Sequence, residues 1–174
     1  SKIPCWEEGD LALPDSSVIL GYLEHRYPEP PLLPQQAGPR ARALWFEEYA
    51  DTKLGETVAA VFFQRVVRPN VLKQETDSVA VEHLLDVALP KVLDYLTSCL
   101  GDDDFMVGSS FSLADIALTS PFVNFALAGE TIDRVRWPAK ANYIESIHGL
   151  PSYRPIVDSD NSLLRNAGVC GWLG

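Results

Sequence analysis

The sequence is poor in the residues that usually announce chemistry. Among 174 residues there are three cysteines, three histidines and one methionine. Cys5, Cys99 and Cys170 are odd in number and far apart, which argues against a disulfide scaffold and for a reducing compartment. Each is expected to be a small packed hydrophobe. There is no C-x-x-C, and His25, His83 and His148 are scattered, so no ligand spacing supports a metal. Long apolar runs are missing too. The longest, Val58 to Phe63, holds six residues, and a membrane span needs about 20. The opening SKIPCWEEGD has no basic stretch ahead of an apolar one, so no signal peptide is expected. Positive charge is scarce: 14 Lys and Arg stand against 24 Asp and Glu, a net charge of −10. That balance disfavours a phosphate backbone and an anionic membrane surface as partners. The expectation is a cytoplasmic protein that binds no nucleic acid, membrane or metal.

What is present is a core-forming composition, with 47% apolar and 22% charged residues. Ile3, Cys5 and Trp6, the turn signal Glu8-Gly9-Asp10 and then Leu11-Ala12-Leu13 suit two short strands in a hairpin. Pro4 is awkward inside a strand, because it donates no ladder hydrogen bond. Residues 15 to 26 read as a helix capped by Asp15 or Ser16, with Val18, Ile19, Tyr22 and Leu23 at spacings of three and four. Pro28, Pro30, Pro31 and Pro34 then make a stiff, extended connector. Helical patterns follow: 39 to about 68, ended by Arg68-Pro69-Asn70; 78 to 100, kinked at Pro90; 112 to about 127; 138 to 148; and 151 to 165. The acidic run Asp102-Asp103-Asp104 reads as a solvated loop. Ser112 and Asp115 have capping-box spacing, and Phe111 and Ile116 that of a hydrophobic staple. Ser112 and Asp115 also look like part of a catalytic triad, but no His has the spacing to complete one, and no Gly-rich phosphate loop occurs.

Three stretches in order resemble the cytosolic glutathione transferase family. They are Lys2-Ile3-Pro4 followed by Leu13-Pro14-Asp15-Ser16-Ser17-Val18-Ile19-Leu20-Gly21-Tyr22-Leu23; Tyr27-Pro28 with Leu32-Leu33-Pro34; and Phe105-Met106-Val107-Gly108 with Phe111-Ser112-Leu113-Ala114-Asp115-Ile116. The resemblance implies a mostly α chain: a partial thioredoxin-like β-β-α segment (1–26), a proline-rich linker (27–38) and an all-α C-terminal domain (39–174). The strand, helix and strand with which the family's thioredoxin-like half begins have no counterpart here, so the sequence reads as a fragment. The family's glutathione-activating Ser, Tyr or Cys lies in that missing part, and no catalytic residue is assigned. Cys5 is not at that position and reads as a packed strand residue.

The resemblance places glutathione on Ile3, Pro4, Asp15 and Ser16. Ile3 would offer its backbone to the cysteinyl part ahead of a cis Pro4. Asp15 and Ser16 would hold the γ-glutamyl ammonium and carboxylate, although plain N-capping explains the pair equally well. Trp45 and Tyr49, four apart on one helix face, would line the pocket for a small hydrophobic electrophile or serve as core or dimer contacts. Asp51 corresponds to an acidic residue that reaches glutathione across the dimer in some members. The implied activity is glutathione conjugation in detoxification, with glutathione as co-substrate and a homodimer as the assembly. Two other readings stay open: a non-catalytic binding or interaction module of this fold, and an unrelated helical domain.

Overall fold

The computed structural model describes residues 4–159. Strands Cys5–Glu8 (β1) and Leu11–Pro14 (β2) pair antiparallel, with Trp6 opposite Leu13 and Glu7 opposite Ala12. Gly9, at φ 59°, supplies the left-handed backbone that so tight a hairpin requires. Pro4 lies just ahead of β1, where no ladder N–H is asked of it, and its carbonyl accepts the Asp15 N–H at 3.4 Å. Side chains alternate across the pleat, so Trp6 and Glu8 turn inward and Cys5 outward. Cys5 is therefore exposed, and the expectation of a packed residue is corrected. Cys99 is half-buried; Cys170 lies outside the described residues, as does Ile3 with its bond to Pro4.

Helix α1 (Ser16–Arg26) packs on the hairpin. The Tyr22 hydroxyl donates to Glu8 at 2.8 Å, and Arg26 stands 3.8 Å from the same carboxylate. The linker is fastened at both sides. Glu24 accepts the N–H groups of Leu32 and Leu33 at 3.1 and 2.9 Å, and the Leu32 carbonyl accepts the N–H of Leu113 at 2.7 Å. Leu33 is buried; the Glu29–Pro30 bond is cis.

The rest is helical. Helix α2 runs continuously over residues 37–72, from Ala37–Tyr49 through wider-wound stretches at Ala50–Ala59 and Phe63–Leu72. It passes Pro69 rather than ending at Arg68, as the sequence suggested. The reason is local: in a wide turn the missing Pro69 N–H would have bonded the Gln64 carbonyl, and the Thr76 hydroxyl takes that carbonyl at 3.0 Å. Asn70 takes the Val66 carbonyl at 2.8 Å, and Lys73, at φ 55°, ends the helix. Helix α3 covers residues 78–100, capped by Asp77; Pro90 follows a widened turn, Leu84–Ala88, which relieves the clash of its ring with a carbonyl one turn back.

The stretch expected as one helix from Ser112 to Leu127 is two: α4 (Leu113–Thr119) and α5 (Pro121–Leu127), broken where Pro121 follows Ser120. Helix α6 is Pro138–His148, and a further helical turn covers 154–159; the remainder of the expected 151–165 helix lies outside the described residues. Short α4 is the hub, packed against α2, α5 and α6. Phe46, Leu54, Val58, Leu93, Leu96, Leu118 and Ile147 fill the space around it, and each buried aliphatic side chain contributes about 1.5–3 kcal/mol.

The capping box is fully formed. Asp115 has no exposed surface and accepts from the Ser112 N–H (2.8 Å), the Ser112 hydroxyl (3.0 Å), the Met106 N–H (2.8 Å) and the Tyr143 hydroxyl (2.7 Å). That saturation explains the pair without any triad.

Candidate functional site

The start of α1 is the candidate site. Asp15 holds φ 93°, an unusual angle for a residue with a Cβ. Its Oδ1 caps the helix, accepting the N–H groups of Ser17 at 3.1 Å and Val18 at 3.3 Å. Among the described residues nothing engages Oδ2 of Asp15 or the hydroxyl of Ser16. A carboxylate oxygen of exposed Asp15, a hydroxyl of half-buried Ser16 and the positive end of a helix dipole thus stand together with no partner for either oxygen among the described residues. An ammonium suits the first, and a carboxylate suits the other two.

A second carboxylate stands behind this helix start. Ser17 donates its hydroxyl to Glu47 of α2 at 2.6 Å. Glu47 is 6% exposed. Burial pushes its pKa up, opposed by the Ser17 bond and aided by the neighbouring charges of Asp51, Glu48 and Asp15. The negative field of these four groups favours a cationic ligand group at α1. Asp51 is exposed and contributes through that field. Neither Ser17 nor Glu47 was singled out by sequence. The hydrophobic spacing of α2 gives no sign that Glu47, between exposed Trp45 and Glu48, is turned inward.

Trp45 and Tyr49 do come together, with ring centres 6.2 Å apart. Tyr95 of α3 joins them: its ring is 4.9 Å from that of Tyr49, and its hydroxyl accepts the Trp45 indole N–H at 3.2 Å. Trp45 is 53% exposed. Residues two apart on a helix point in nearly opposite directions, so with Glu47 directed at α1 the aromatic pair faces α3. The structure therefore separates Trp45 and Tyr49 from Asp15 and Ser16. Tyr95 could have been found from its place on the exposed side of the α3 stripe.

Among the described residues, clefts of about 360, 330 and 270 Å³ open in the helical part. Their walls come from α3, α5, α6 and the segments between, and none of the three touches α1. Among the described residues no three His, Cys, Asp or Glu side chains cluster as metal ligands, and no helix is long and apolar enough to cross a membrane.

Comparison with known proteins adds to this geometry. A model of the glutathione S-transferase C-terminal domain matches residues 74–146. The chain is similar to a glutathione S-transferase of Hyoscyamus muticus, 31% identical over 129 residues, which are 72% of this chain and 59% of that protein. It is also similar to the FtsZ-localized protein A of Caulobacter vibrioides, 26% identical over 148 residues, covering 85% of this chain and 64% of that one. Among solved structures, a glutathione S-transferase of Methylobacterium radiotolerans in complex with glutathione sulfonate aligns at a TM-score of 0.71 and 25% identity, over 90% of this chain and 72% of the other. The chain spans less than two thirds of the length of both curated relatives.

Proposed function

The chain belongs to the glutathione transferase family, and from that premise we propose that it is the glutathione-holding and helical part of an enzyme that conjugates the glutathione thiolate to a hydrophobic electrophile. In this reading residues 1–26 are the later part of a thioredoxin-like domain, 27–38 its linker and 39–174 the helical domain. The observation that carries the reading is the start of α1, where Oδ2 of Asp15 and the Ser16 hydroxyl have no partner among the described residues.

Each residue has a stated role. Asp15 pairs with the γ-glutamyl ammonium, and the acidic field of Glu47 and Asp51 strengthens that attraction. Ser16 and the helix end hold the γ-glutamyl carboxylate. The backbone of Ile3, ahead of Pro4, receives the cysteinyl part. The thiol gives its proton to water, and the thiolate forms a C–S bond to an electrophilic carbon, either expelling a leaving group as its anion or adding to an activated double bond whose carbanion takes a proton from water. The Ser, Tyr or Cys that activates the thiol in this family belongs to a strand–helix–strand unit that these 174 residues do not include. Trp45 and Tyr49 face away from α1, which favours them as part of a homodimer contact over a role as walls of the electrophile pocket.

Titration calorimetry with glutathione tests the reading. Binding is expected for the chain as it stands, weakened tenfold or more in Ser16→Ala and in Asp15→Ala while the circular dichroism is unchanged. A folded chain that takes up no glutathione would overturn it. A second reading, a non-catalytic binding or interaction module, draws on the likeness to FtsZ-localized protein A. Glutathione binding without turnover of a chloronitrobenzene, in a protein that carries the activating residue, would decide for that reading.

A further inference from the structure

Lys140 of α6 has no exposed surface, and its Nζ has no hydrogen-bond partner among the described residues. The amine stands 4.2 Å from the centre of the Tyr143 ring on its own helix. Asp115 from α4 and Cys99 from α3 are the other titratable groups that face it. Asp115 is the natural counter-ion, but its two oxygens already accept four hydrogen bonds, and an ionised carboxylate offers about four lone-pair positions. Cys99 provides only a weak acceptor. The Tyr143 hydroxyl stays protonated, held there by burial and by the Asp115 carboxylate it donates to. A charged Lys140 thus gains the face of one ring and the field of the Asp115 carboxylate but no hydrogen bond, and burial outweighs both. A neutral amine needs only packing.

We propose that Lys140 is a pH-sensitive latch in the helical core: uncharged, it lets α6 close on α3 and α4, and on taking up a proton it drives α6 to open along the seam with α3. That seam already carries the cleft of about 270 Å³, lined by Leu100, Asn142, Tyr143 and the acidic run Asp102, Asp103 and Asp104. The cleft leads toward water and three carboxylates, which gives the solvated acidic loop a purpose its sequence did not suggest. This inference is independent of the proposed function.

The sign follows from linkage. Burial lowers the Lys140 pKa from 10.5 to about 7. The open or unfolded chain therefore binds the proton more tightly. Stability from this group rises as pH climbs from about 7 toward 10.5, and is lost as pH falls to about 7 and below.

Urea unfolding of the chain and of Lys140→Met tests the latch. Between about pH 6 and about pH 9 the unfolding constant of the native chain should fall about a hundredfold more than that of the variant; parallel pH profiles would overturn the proposal. Should the variant fail to fold, acetylation of the native chain, mapped residue by residue by mass spectrometry, gives the same answer. Exposed Lys53, Lys73 and Lys91 should react about tenfold faster per pH unit up to about pH 10. Lys140 should level off above about pH 7, because rarer opening offsets the gain in free base. A Lys140 rate that climbs with the other three sinks the idea.

Discussion

The starts of α1 and α4 are built from the same two residue types, a Ser and an Asp, and differ in what they leave over. At α4, Asp115 is sealed from water, and both its oxygens are filled by donors from the Ser112 cap, from Met106 in the segment before it and from Tyr143 of α6. At α1, Asp15 is exposed, caps with one oxygen and keeps the other, and Ser16 keeps its hydroxyl. The first arrangement ties elements together and has nothing left for a ligand. The second does the minimum needed to start a helix and leaves one carboxylate oxygen and one hydroxyl without a partner among the described residues. An N-cap motif is therefore structural or ligand-binding according to how many of its acceptors the fold itself consumes.

That contrast can be broken by substitution. Asp115→Ala strands four donors in the interior, two of them backbone N–H groups. A loss of about 3–5 kcal/mol is expected in urea unfolding, and a loss under about 1 kcal/mol would mean that the hub is not where stability resides. Asp15→Ala removes one exposed cap and should cost about 0.5–2 kcal/mol, so its effect on stability should be well below that of Asp115→Ala and its main effect should appear in glutathione binding. Glu47→Gln is the subtlest. Burial and acidic neighbours raise the Glu47 pKa in the folded chain, so folding favours its protonated form, and stability from this group falls as pH rises through the raised value. The Gln variant keeps an acceptor for Ser17 and loses that slope, and the difference between the two proteins should change sign or shrink from about pH 4 to about pH 7.

The parts of the fold that local chemistry decides were legible in the sequence. The hairpin follows from alternation and a Gly turn, and the capping box from its spacing. What could not be read depended on partners distant in sequence. Pro69 reads as a stop, yet Thr76 supplies the hydrogen bond that the proline withholds. Ser120-Pro121 reads as the interior of one helix, yet it separates two. Lys140 has the pattern of a surface residue and lies in the core. For the candidate site, Asp15 and Ser16 were visible as a cap, whereas the inward turn of Glu47 was not, because a carboxylate on a helix reads as solvated until the Ser17 hydroxyl opposite is known.

The bond from the Leu113 N–H to the Leu32 carbonyl has one more consequence. The first turn of a helix leaves N–H groups without internal partners, and at the buried start of α4 one of them is satisfied by the linker. Glu24, reaching from α1, holds that same stretch of linker in place. Peeling the hairpin and α1 away would thus orphan a donor at the centre of the helical part. The two parts are therefore expected to melt in one cooperative transition in calorimetry, and two separate transitions would show that this bond does not couple them.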